Sequence, residues 1–219
     1  MKKLIVFGLG SISELAQFYF DHDSEYRVEA FTVDGAFMKE TSVGSLPVIP
    51  WEEIDKSFSI ADYHLFVAIG YSQMNRLRTH KVQEAEEKGY PLAHYVSSKA
   101  TVFSDFQAKP NQFILEDNTI QPFTRIGKNV ILWCGNHIGH HSVVEENCFL
   151  SKTIISGHVI VGAGSFLGVN STVGNGVRIG RENLIGAGSL ILKDTGDGEV
   201  YAVKGTEKSR VPSSRIKKF

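Results

Sequence analysis

The sequence predicts a chain in two parts, an α/β, Rossmann-like βαβ domain over residues 1–99 and an all-β parallel β-helix over residues 100–219. Three observations carry this prediction. Strand-like and helix-like segments alternate in the first part, which is typical of a parallel sheet. Only six of the 21 glycines lie in residues 1–99, so the composition changes sharply between the two parts. Aliphatic residues recur every six positions in the second part, which is the period of a hexapeptide β-helix.

Short apolar runs bounded by glycine or proline predict the strands of the first domain. They lie at residues 3–7, 27–33, 46–50, 63–69 and 92–96. We expect a helix capped by Ser11 or Ser13 after the first strand and a short helix over residues 51–56. A charged helix over residues 72–88 is closed by Gly89.

The six-residue period predicts the core of the second domain. One aliphatic side chain per hexad points into a narrow prism, and glycine or asparagine forms the tight corners between flat faces. A helix would show a period of about 3.6 and a hairpin sheet a period of 2, so neither explains the pattern. The fourteen positions are Ile114, Ile120, Ile126, Leu132, Ile138, Val144, Leu150, Ile155, Val161, Leu167, Val173, Ile179, Ile185 and Ile191.

One step of the repeat, from Leu150 to Ile155, is five residues long. We interpret it as a local kink at one corner. A feature of the functional site is the alternative.

A glycine-rich loop, Gly8-Leu9-Gly10-Ser11-Ile12-Ser13, lies between the first predicted strand and helix. Backbone amides and a helix N-terminus in this context can hold a phosphate. The loop lacks the third glycine of a dinucleotide fingerprint, and the domain is small, so a mononucleotide or a nucleotide-linked sugar fits better than a dinucleotide. A turn that only packs strand on helix is the alternative. The candidate substrate-binding residues are Gly8, Gly10, Ser11, Ile12, Asp34 and Gly70.

The register of the repeat places four residues beside one another. His140 and His141 follow the inward Ile138 by two and three positions, as Gly157 and His158 follow Ile155. We therefore expect His141 to stack on His158 at about the strand spacing of 4.8 Å, and His140 to lie beside the backbone of Gly157. A neutral imidazole next to a backbone amide can pair a general base with an oxyanion donor. A metal site and a plain polar surface are the alternatives.

Composition excludes several classes of function. The net charge is −1, which favours neither nucleic acid nor an anionic membrane as a partner. No apolar run approaches the ~20 residues of a spanning helix, and the run that ends at Gly8 is too short for a secretory signal. The two cysteines form no disulfide framework and are interpreted as packing residues. The basic tail over residues 215–219 is interpreted as a solvated end. We expect a cytoplasmic enzyme or binding protein.

The combination of both parts resembles the sialic-acid O-acetyltransferase-like sugar acyltransferases, including the amino-sugar N-acetyltransferases of the bacillosamine and perosamine type. The resemblance covers nearly the whole chain, and the pairing of this N-terminal domain with the β-helix makes it specific. It rests on FGLGS (7–11), SSKATV (97–102), GNHIGHHSVVEENCF (135–149), ISGHVIVG (155–162), FLGVNSTV (166–173) and IGAGSLILKD (185–194).

The resemblance implies a left-handed β-helix, a homotrimer with active sites between subunits, acetyl-CoA as cosubstrate without a metal, and a nucleotide-linked 4-amino sugar that is held by the first domain and N-acetylated. It implies that His140 is the base and that the Gly157 amide faces the thioester carbonyl, with His141 as a third candidate catalytic residue. The candidate coenzyme-binding residues are Gly157, His158, Gly168, Asn170, Gly186, Ala187 and Lys204.

The chain departs from the family pattern in three places. His141 stands where an acidic residue often follows the catalytic histidine, so the group that orients His140 is open. The five-residue step lies just before Gly157, and the closing motif is replaced by Val203-Lys204-Gly205-Thr206-Glu207-Lys208. Sugar O-acetylation, a γ-type carbonic-anhydrase-like zinc hydrase, and a non-catalytic nucleotide-sugar binder are the alternative functions.

Overall fold

The computed structural model describes residues 1–103 and 106–216 of the chain. The basic end of the tail, residues 217–219, lies outside the described residues. No helix within the described part of the chain is long and apolar enough to cross a membrane.

A five-stranded sheet forms the first domain, and its strands are β1 (Lys2–Phe7), β2 (Tyr26–Val33), β3 (Ser42–Val43), β4 (Leu46–Pro50) and β5 (Tyr63–Val67). Their order in the sheet is β3-β4-β2-β1-β5. Strand β1 is parallel to its neighbours β2 and β5, and only the short β3 at the edge is antiparallel. The helices are α1 (Ser11–His22), α2 (Ile54–Ser57) and α3 (Arg76–Glu87), with single 3₁₀ turns at Gly35–Phe37, Trp51–Glu53 and Ser213–Arg215.

The charged helix α3 begins at Arg76 and not at Ser72 as predicted. Residues 73–75 have φ angles between +52° and +64°, in the left-handed region. A right-handed helix cannot run through three such residues. The segment from Gly70 to Asn75 is therefore a loop that leads from the sheet to α3.

The strand predicted over residues 92–96 is divided between the two domains. Leu92 makes a single bridge to Leu65 of β5. Tyr95–Val96 (β6) instead pairs in parallel with Phe113–Ile114 (β7), the first strand of the second domain. The chain thus passes directly from one sheet to the next.

The second domain is a left-handed parallel β-helix, whose two-residue strands form three flat faces. The first face holds β7 (Phe113–Ile114), β10 (Ile131–Leu132), β13 (Phe149–Leu150), β16 (Phe166–Leu167), β19 (Leu184–Ile185) and β21 (Val200–Tyr201). The second holds β8 (Thr119–Ile120), β11 (His137–Ile138), β14 (Ile154–Ile155), β17 (Thr172–Val173) and β20 (Leu190–Ile191). The third holds β9 (Arg125–Ile126), β12 (Val143–Val144), β15 (Ile160–Val161) and β18 (Arg178–Ile179). The first, second and third corners follow the faces of the same number.

The predicted inward positions form the core of the prism. All fourteen aliphatic side chains are buried, with at most 5% of their surface exposed. Cys148 is buried among them as a packing residue, and burial raises the pKa of its thiol to about 12. Every position that the six-residue period predicts therefore lies in the core, and the same cluster also contains Val130, Val159 and Val177, which the period does not mark.

The five-residue step is absorbed in one shortened first corner, residues 151–153. The ladder on either side is unbroken, since His137 pairs with Ile154 as the preceding coils require. The backbone N–H and the hydroxyl of Thr153 both donate to Asn136 Oδ1, at 2.8 and 3.0 Å. The interpretation as a local kink is confirmed, and the coil that carries Gly157 keeps its register.

Arg78 on α3 joins the two domains. Its side chain is fully buried. The guanidinium donates to the carbonyl oxygens of Gly70 at 2.7 Å and Asn147 at 3.0 Å, and to Asn129 Oδ1 at 3.1 Å. Burial lowers the pKa of Arg78 to about 9, so the group stays charged at neutral pH. The loop at Gly70 is thereby fixed relative to the corners of the β-helix.

Candidate active site

The second corner of the β-helix brings the predicted site histidines together. His140 and His141 lie between β11 and β12, and His158 lies one coil later between β14 and β15. All three side chains are exposed. The ring centroids of His141 and His158 are 4.9 Å apart with an interplanar angle of 18°. The predicted stacking of these two rings on neighbouring coils is confirmed.

His140 lies against the backbone of Gly157, as its register predicts. A Cβ at Gly157 would lie 2.8 Å from both Cε1 and Nε2 of the His140 ring, so only glycine leaves room for the ring in this position. The N–H of Gly157 donates to no group within residues 1–103 and 106–216. A ring nitrogen that can take a proton thus lies beside an available backbone donor, the two groups that acyl transfer requires.

His141 contacts the other ring nitrogen of His140. The two Nδ1 atoms are 3.0 Å apart, a hydrogen-bond distance. His141 has a φ angle of +58°, in the left-handed region where His, Asn and Asp are enriched. The centroid of its ring lies 4.7 Å from the centroid of the Phe123 ring. This packing and the stacking on His158 hold the His141 ring at the site.

The same three histidines could also hold a metal. One side-chain nitrogen each from His140, His141 and His158 lies within 4.8 Å of the other two. Neutral imidazole nitrogens are common ligands of Zn²⁺. The geometry at this corner is therefore compatible with acid–base catalysis and with metal binding.

Two residues at the site were missed by sequence reasoning. Asn175 follows the inward Val173 by two positions, which is the register of His140 and Gly157, and its Oδ1 would lie 3.2 Å from a Cβ at Gly157. The register rule was sufficient to find it. Gln121 accepts the backbone N–H of His140 on its Oε1 at 2.8 Å. No sequence signal marks this contact, because it depends on the side-chain conformation of Gln121.

The predicted coenzyme residues fall on two different corners. Gly157 and His158 lie at the second corner, whereas the other four within the coils lie at the first corner of the last two full coils: Gly168, Asn170, Gly186 and Ala187. These four are neighbours, since a Cβ at Gly168 would lie 2.8 Å from the Ala187 nitrogen. Lys204 lies beyond β21 and pairs with Glu207 at 3.1 Å. A single chain therefore does not bring the first-corner residues to His140.

All six predicted substrate-binding residues line one cavity of about 400 Å³ in the first domain. The cavity lies at the carboxyl ends of β1, β2 and β5, where ligands bind in parallel sheets. Its wall also includes Lys81, which sequence reasoning missed. The residues brought together as predicted are Gly8, Gly10, Ser11, Ile12, Asp34 and Gly70.

Lys81 is a buried cation with two acidic partners. Its Nζ contacts Asp34 Oδ1 at 2.5 Å and Glu84 Oε2 at 2.8 Å. Burial opposes the charge of Lys81, but the hydrogen bonds that its ammonium group donates to Asp34 and Glu84 outweigh this effect and raise the pKa of Lys81. The cavity therefore contains a fixed ion pair at the end of β2.

The glycine loop packs closely against the first turn of α1. Gly8 has a φ angle of +122°, and a Cβ there would lie 2.6 Å from Ser13 Oγ. Gly10, and not Ser11 or Ser13 as predicted, is the N-cap of the twelve-residue helix α1, and no side chain caps this helix. The hydroxyl of Ser13 is buried without a hydrogen-bond partner among the described residues. A second cavity of about 550 Å³, which shares Leu9 and Gly10 with the first, extends past Ser13.

Comparison with known proteins relates the repeat to acyltransferases. A family model described as the hexapeptide repeat of succinyl-transferase matches residues 158–193. A bifunctional protein GlmU of Lawsonia intracellularis is 30% identical over 93 residues, 39% of this chain and 20% of that protein. An acyl-[acyl-carrier-protein]–UDP-N-acetylglucosamine O-acyltransferase of Pseudomonas aeruginosa is 38% identical over 72 residues, 32% of this chain and 28% of that protein. The chain thus spans less than a third of either relative.

Solved structures match almost the full length. A mutant GDP-perosamine N-acetyl transferase of Caulobacter crescentus, in complex with CoA and GDP-perosamine, has a TM-score of 0.84 at 23% identity over 94% of this chain and 98% of that one. The acetyltransferase domain of PglB from Neisseria gonorrhoeae has a TM-score of 0.78 at 21% identity over 93% and 97%. WeeI from Acinetobacter baumannii has a TM-score of 0.73 at 15% identity over 91% and 96%. The expected resemblance is confirmed at the level of the fold: the chain has the two-part architecture of the hexapeptide-repeat sugar acetyltransferases.

Proposed function

Proceeding from this shared fold, we propose that the protein is an acetyl-CoA-dependent N-acetyltransferase that acts on a nucleotide-linked amino sugar. The observation that carries the proposal is the contact of His140 with Gly157, which sets a ring nitrogen beside an available backbone N–H. The second observation is the cavity at the glycine loop, which supplies a site for a nucleotide in the same chain.

Known relatives of the fold support the choice of substrates. The perosamine enzyme that this chain resembles was solved with CoA and GDP-perosamine, and the PglB domain was solved with acetyl coenzyme A. Both proteins cover this chain almost end to end, including the nucleotide domain. The γ-type zinc hydrase reading has no role for a nucleotide cavity and is the weaker candidate.

Acetyl transfer uses the two groups at the second corner in one step. The sugar amine attacks the thioester carbonyl as His140 Nε2 removes a proton from that nitrogen. The Gly157 N–H donates to the oxyanion of the tetrahedral intermediate. When the carbon–sulfur bond breaks, the imidazolium returns the proton to the coenzyme sulfur. The products are an N-acetyl sugar and free CoA, and no other reactant is consumed.

A homotrimer would complete the site. The predicted coenzyme residues at the first corner and His140 at the second corner lie on different edges of one prism. Side-by-side packing of two prisms can bring the first corner of one chain against the second corner of the next. We therefore place acetyl-CoA between subunits, with Gly168 and Gly186 contributed by one chain and His140 by its neighbour. A bulky substitution at the exposed first-corner residue Ala187 should weaken coenzyme binding while keeping the fold.

The nucleotide would lie at the glycine loop. Amides at the N-terminus of α1 would face a phosphate, and Asp34 would face the nucleoside. Hydrogen bonds from Arg78 hold the Gly70 wall of this cavity to the β-helix. These hydrogen bonds thus fix the proposed sugar-binding cavity relative to the β-helix, where acetyl transfer takes place. A role in the synthesis of surface glycans is the biological setting that such a substrate implies.

Thiol release from acetyl-CoA tests the proposal. The acceptor panel is UDP-, dTDP- and GDP-linked 4-amino sugars, each beside the matching hydroxyl sugar. We expect release with an amino sugar and a loss of about 10²–10⁴ in kcat for His140→Asn, the usual worth of a general base. His137→Asn, three residues away on β11, is the matched control. Release only with hydroxyl sugars would indicate O-acetylation, and binding of the sugars without release would indicate a non-catalytic binder.

A further inference from the structure

We propose that His141 is a positioning residue that keeps the proton of His140 on Nδ1. The proposal deepens the proposed function and rests on it for its kinetic consequences. Its structural basis is the distance of 3.0 Å between the Nδ1 atoms of the two rings.

Only one proton can lie between these two nitrogens. A neutral imidazole carries its proton on one nitrogen and accepts a hydrogen bond on the other. If His140 is the donor, its Nδ1 is protonated and its Nε2 lone pair lies beside Gly157, ready to take a proton. If His141 is the donor, His140 carries its proton on Nε2 and cannot act as a base there. The direction of this one hydrogen bond therefore decides whether His140 is competent.

The proposed acetyl transfer requires His140 to be the donor. Within residues 1–103 and 106–216, the ring of His140 makes no hydrogen bond other than that to His141. His141 Nδ1 is thus the acceptor that the fold offers to a proton on His140 Nδ1. In the matching tautomer His141 carries its own proton on Nε2, and its exposed ring can present that proton to water.

The ring of His141 is held in place for this role. Its stacking on His158 at 4.9 Å and its contact with Phe123 at 4.7 Å restrict its movement. The backbone of His140 is tied to Gln121 by a hydrogen bond of 2.8 Å. Both members of the pair are therefore oriented by groups outside it.

During the reaction the proton on His140 Nδ1 does not move. When His140 Nε2 takes the proton of the amine, the imidazolium carries N–H groups on both nitrogens and continues to donate from Nδ1 to His141. The acceptor is neutral, so it orients the base without attracting the positive charge as strongly as a carboxylate does. A carboxylate at position 141 should accordingly support the same chemistry.

Nitrogen NMR of the histidine side chains reads the tautomers directly. Protein labelled with ¹⁵N-histidine is measured at pH 8.5, where a free imidazole is neutral. We expect His140 as the Nδ1–H tautomer and His141 as the Nε2–H tautomer, assigned by loss of each signal in His140→Asn and His141→Asn. The opposite tautomers would overturn the proposal. This readout does not depend on turnover, so it decides the inference even if the proposed acetyl transfer fails.

Kinetics supply the second test. His141→Gly suits the left-handed backbone but removes the acceptor, whereas His141→Asp and His141→Asn suit the same backbone and restore an acceptor oxygen. We expect the glycine variant to lower kcat about 10²-fold with little change in either KM, because the loss is one of orientation. The Asp and Asn variants should recover most of it, and His137→Asn should match the wild type. Equal kcat values for the His141→Gly and His141→Asn variants would contradict the positioning role.

Discussion

Gly157 and His140 are in contact across two coils of the β-helix, and the space between them has no room for one more carbon atom. A Cβ at position 157 would lie 2.8 Å from the ring nitrogen Nε2 of His140. The ring is exposed and can turn away, so Gly157→Ala should fold normally. It should nevertheless displace His140, the proposed base, from the backbone N–H of Gly157.

We predict that Gly157→Ala lowers kcat at least tenfold while the melting temperature shifts by only a few degrees. The reason is that a misplaced base and donor no longer meet the same reacting atoms, and small errors of position are costly in catalysis. Steady-state kinetics and thermal unfolding measure the two effects. Gly174→Ala at the same corner is the matched control, because its Cβ would meet Leu192 and not a histidine. An equal fall of kcat in Gly174→Ala would show that the loss comes from a general disturbance of the corner and not from the displacement of His140.

Asp34→Asn should weaken binding of the nucleotide sugar without affecting the coenzyme. The variant keeps the shape of the side chain but removes the charge that lines the cavity beside Lys81. A hydrogen bond to a charged group is worth about 1.5–3 kcal/mol, so KM for the sugar should rise roughly tenfold or more. KM for acetyl-CoA should not change. Glu84→Gln also removes an acidic partner of Lys81 but lies outside the cavity wall, and an equal effect there would argue against a role for Asp34 in binding.

Stability at low pH should depend on Asp23. Burial acts to raise the pKa of this carboxyl, but hydrogen bonds from Ser98, Tyr95 and Ser97 together lower it below the ordinary value of 3.8. A depressed pKa means stabilisation that is present above the ordinary value and is lost as the pH falls through the folded-state value. Asp23→Asn should therefore cost about 1–2 kcal/mol at pH 7 and progressively less below pH 4. Urea unfolding at several pH values measures this, and a penalty independent of pH would contradict it.

Added Zn²⁺ should inhibit the enzyme reversibly. The nitrogens of His140, His141 and His158 lie within 4.8 Å of one another, so a bound ion would occupy the base. We expect full activity in the presence of EDTA, loss of activity with micromolar Zn²⁺, and recovery when the chelator is restored. Activity that instead requires a metal would favour the zinc hydrase reading. His158→Asn should weaken the inhibition because it removes one ligand.

Much of the fold and part of the site could be predicted because the β-helix is a strict repeat. Once Ile138 and Ile155 are recognised as inward positions, the stacking of His141 on His158 follows from counting. The same counting would have found Asn175. Elements without such a period were placed less well. The start of α3 was missed because three successive residues, 73–75, take a left-handed conformation that helical periodicity does not reveal.

By itself, the sequence determined the fourteen inward aliphatic positions, the corners between them, and six of the residues that line the cavity at the glycine loop, because these depend on period and on local turn chemistry. Only the tertiary structure decided which side chains meet. Lys81 pairs with Asp34, and Arg78 donates hydrogen bonds to Asn129 and Asn147. The Nδ1 atom of His141 contacts that of His140. The first two pairings join residues far apart in the chain, and the third depends on side-chain rotamers. Neither long-range packing nor rotamer choice has a periodic signal in sequence, since each is set by everything that surrounds the side chain.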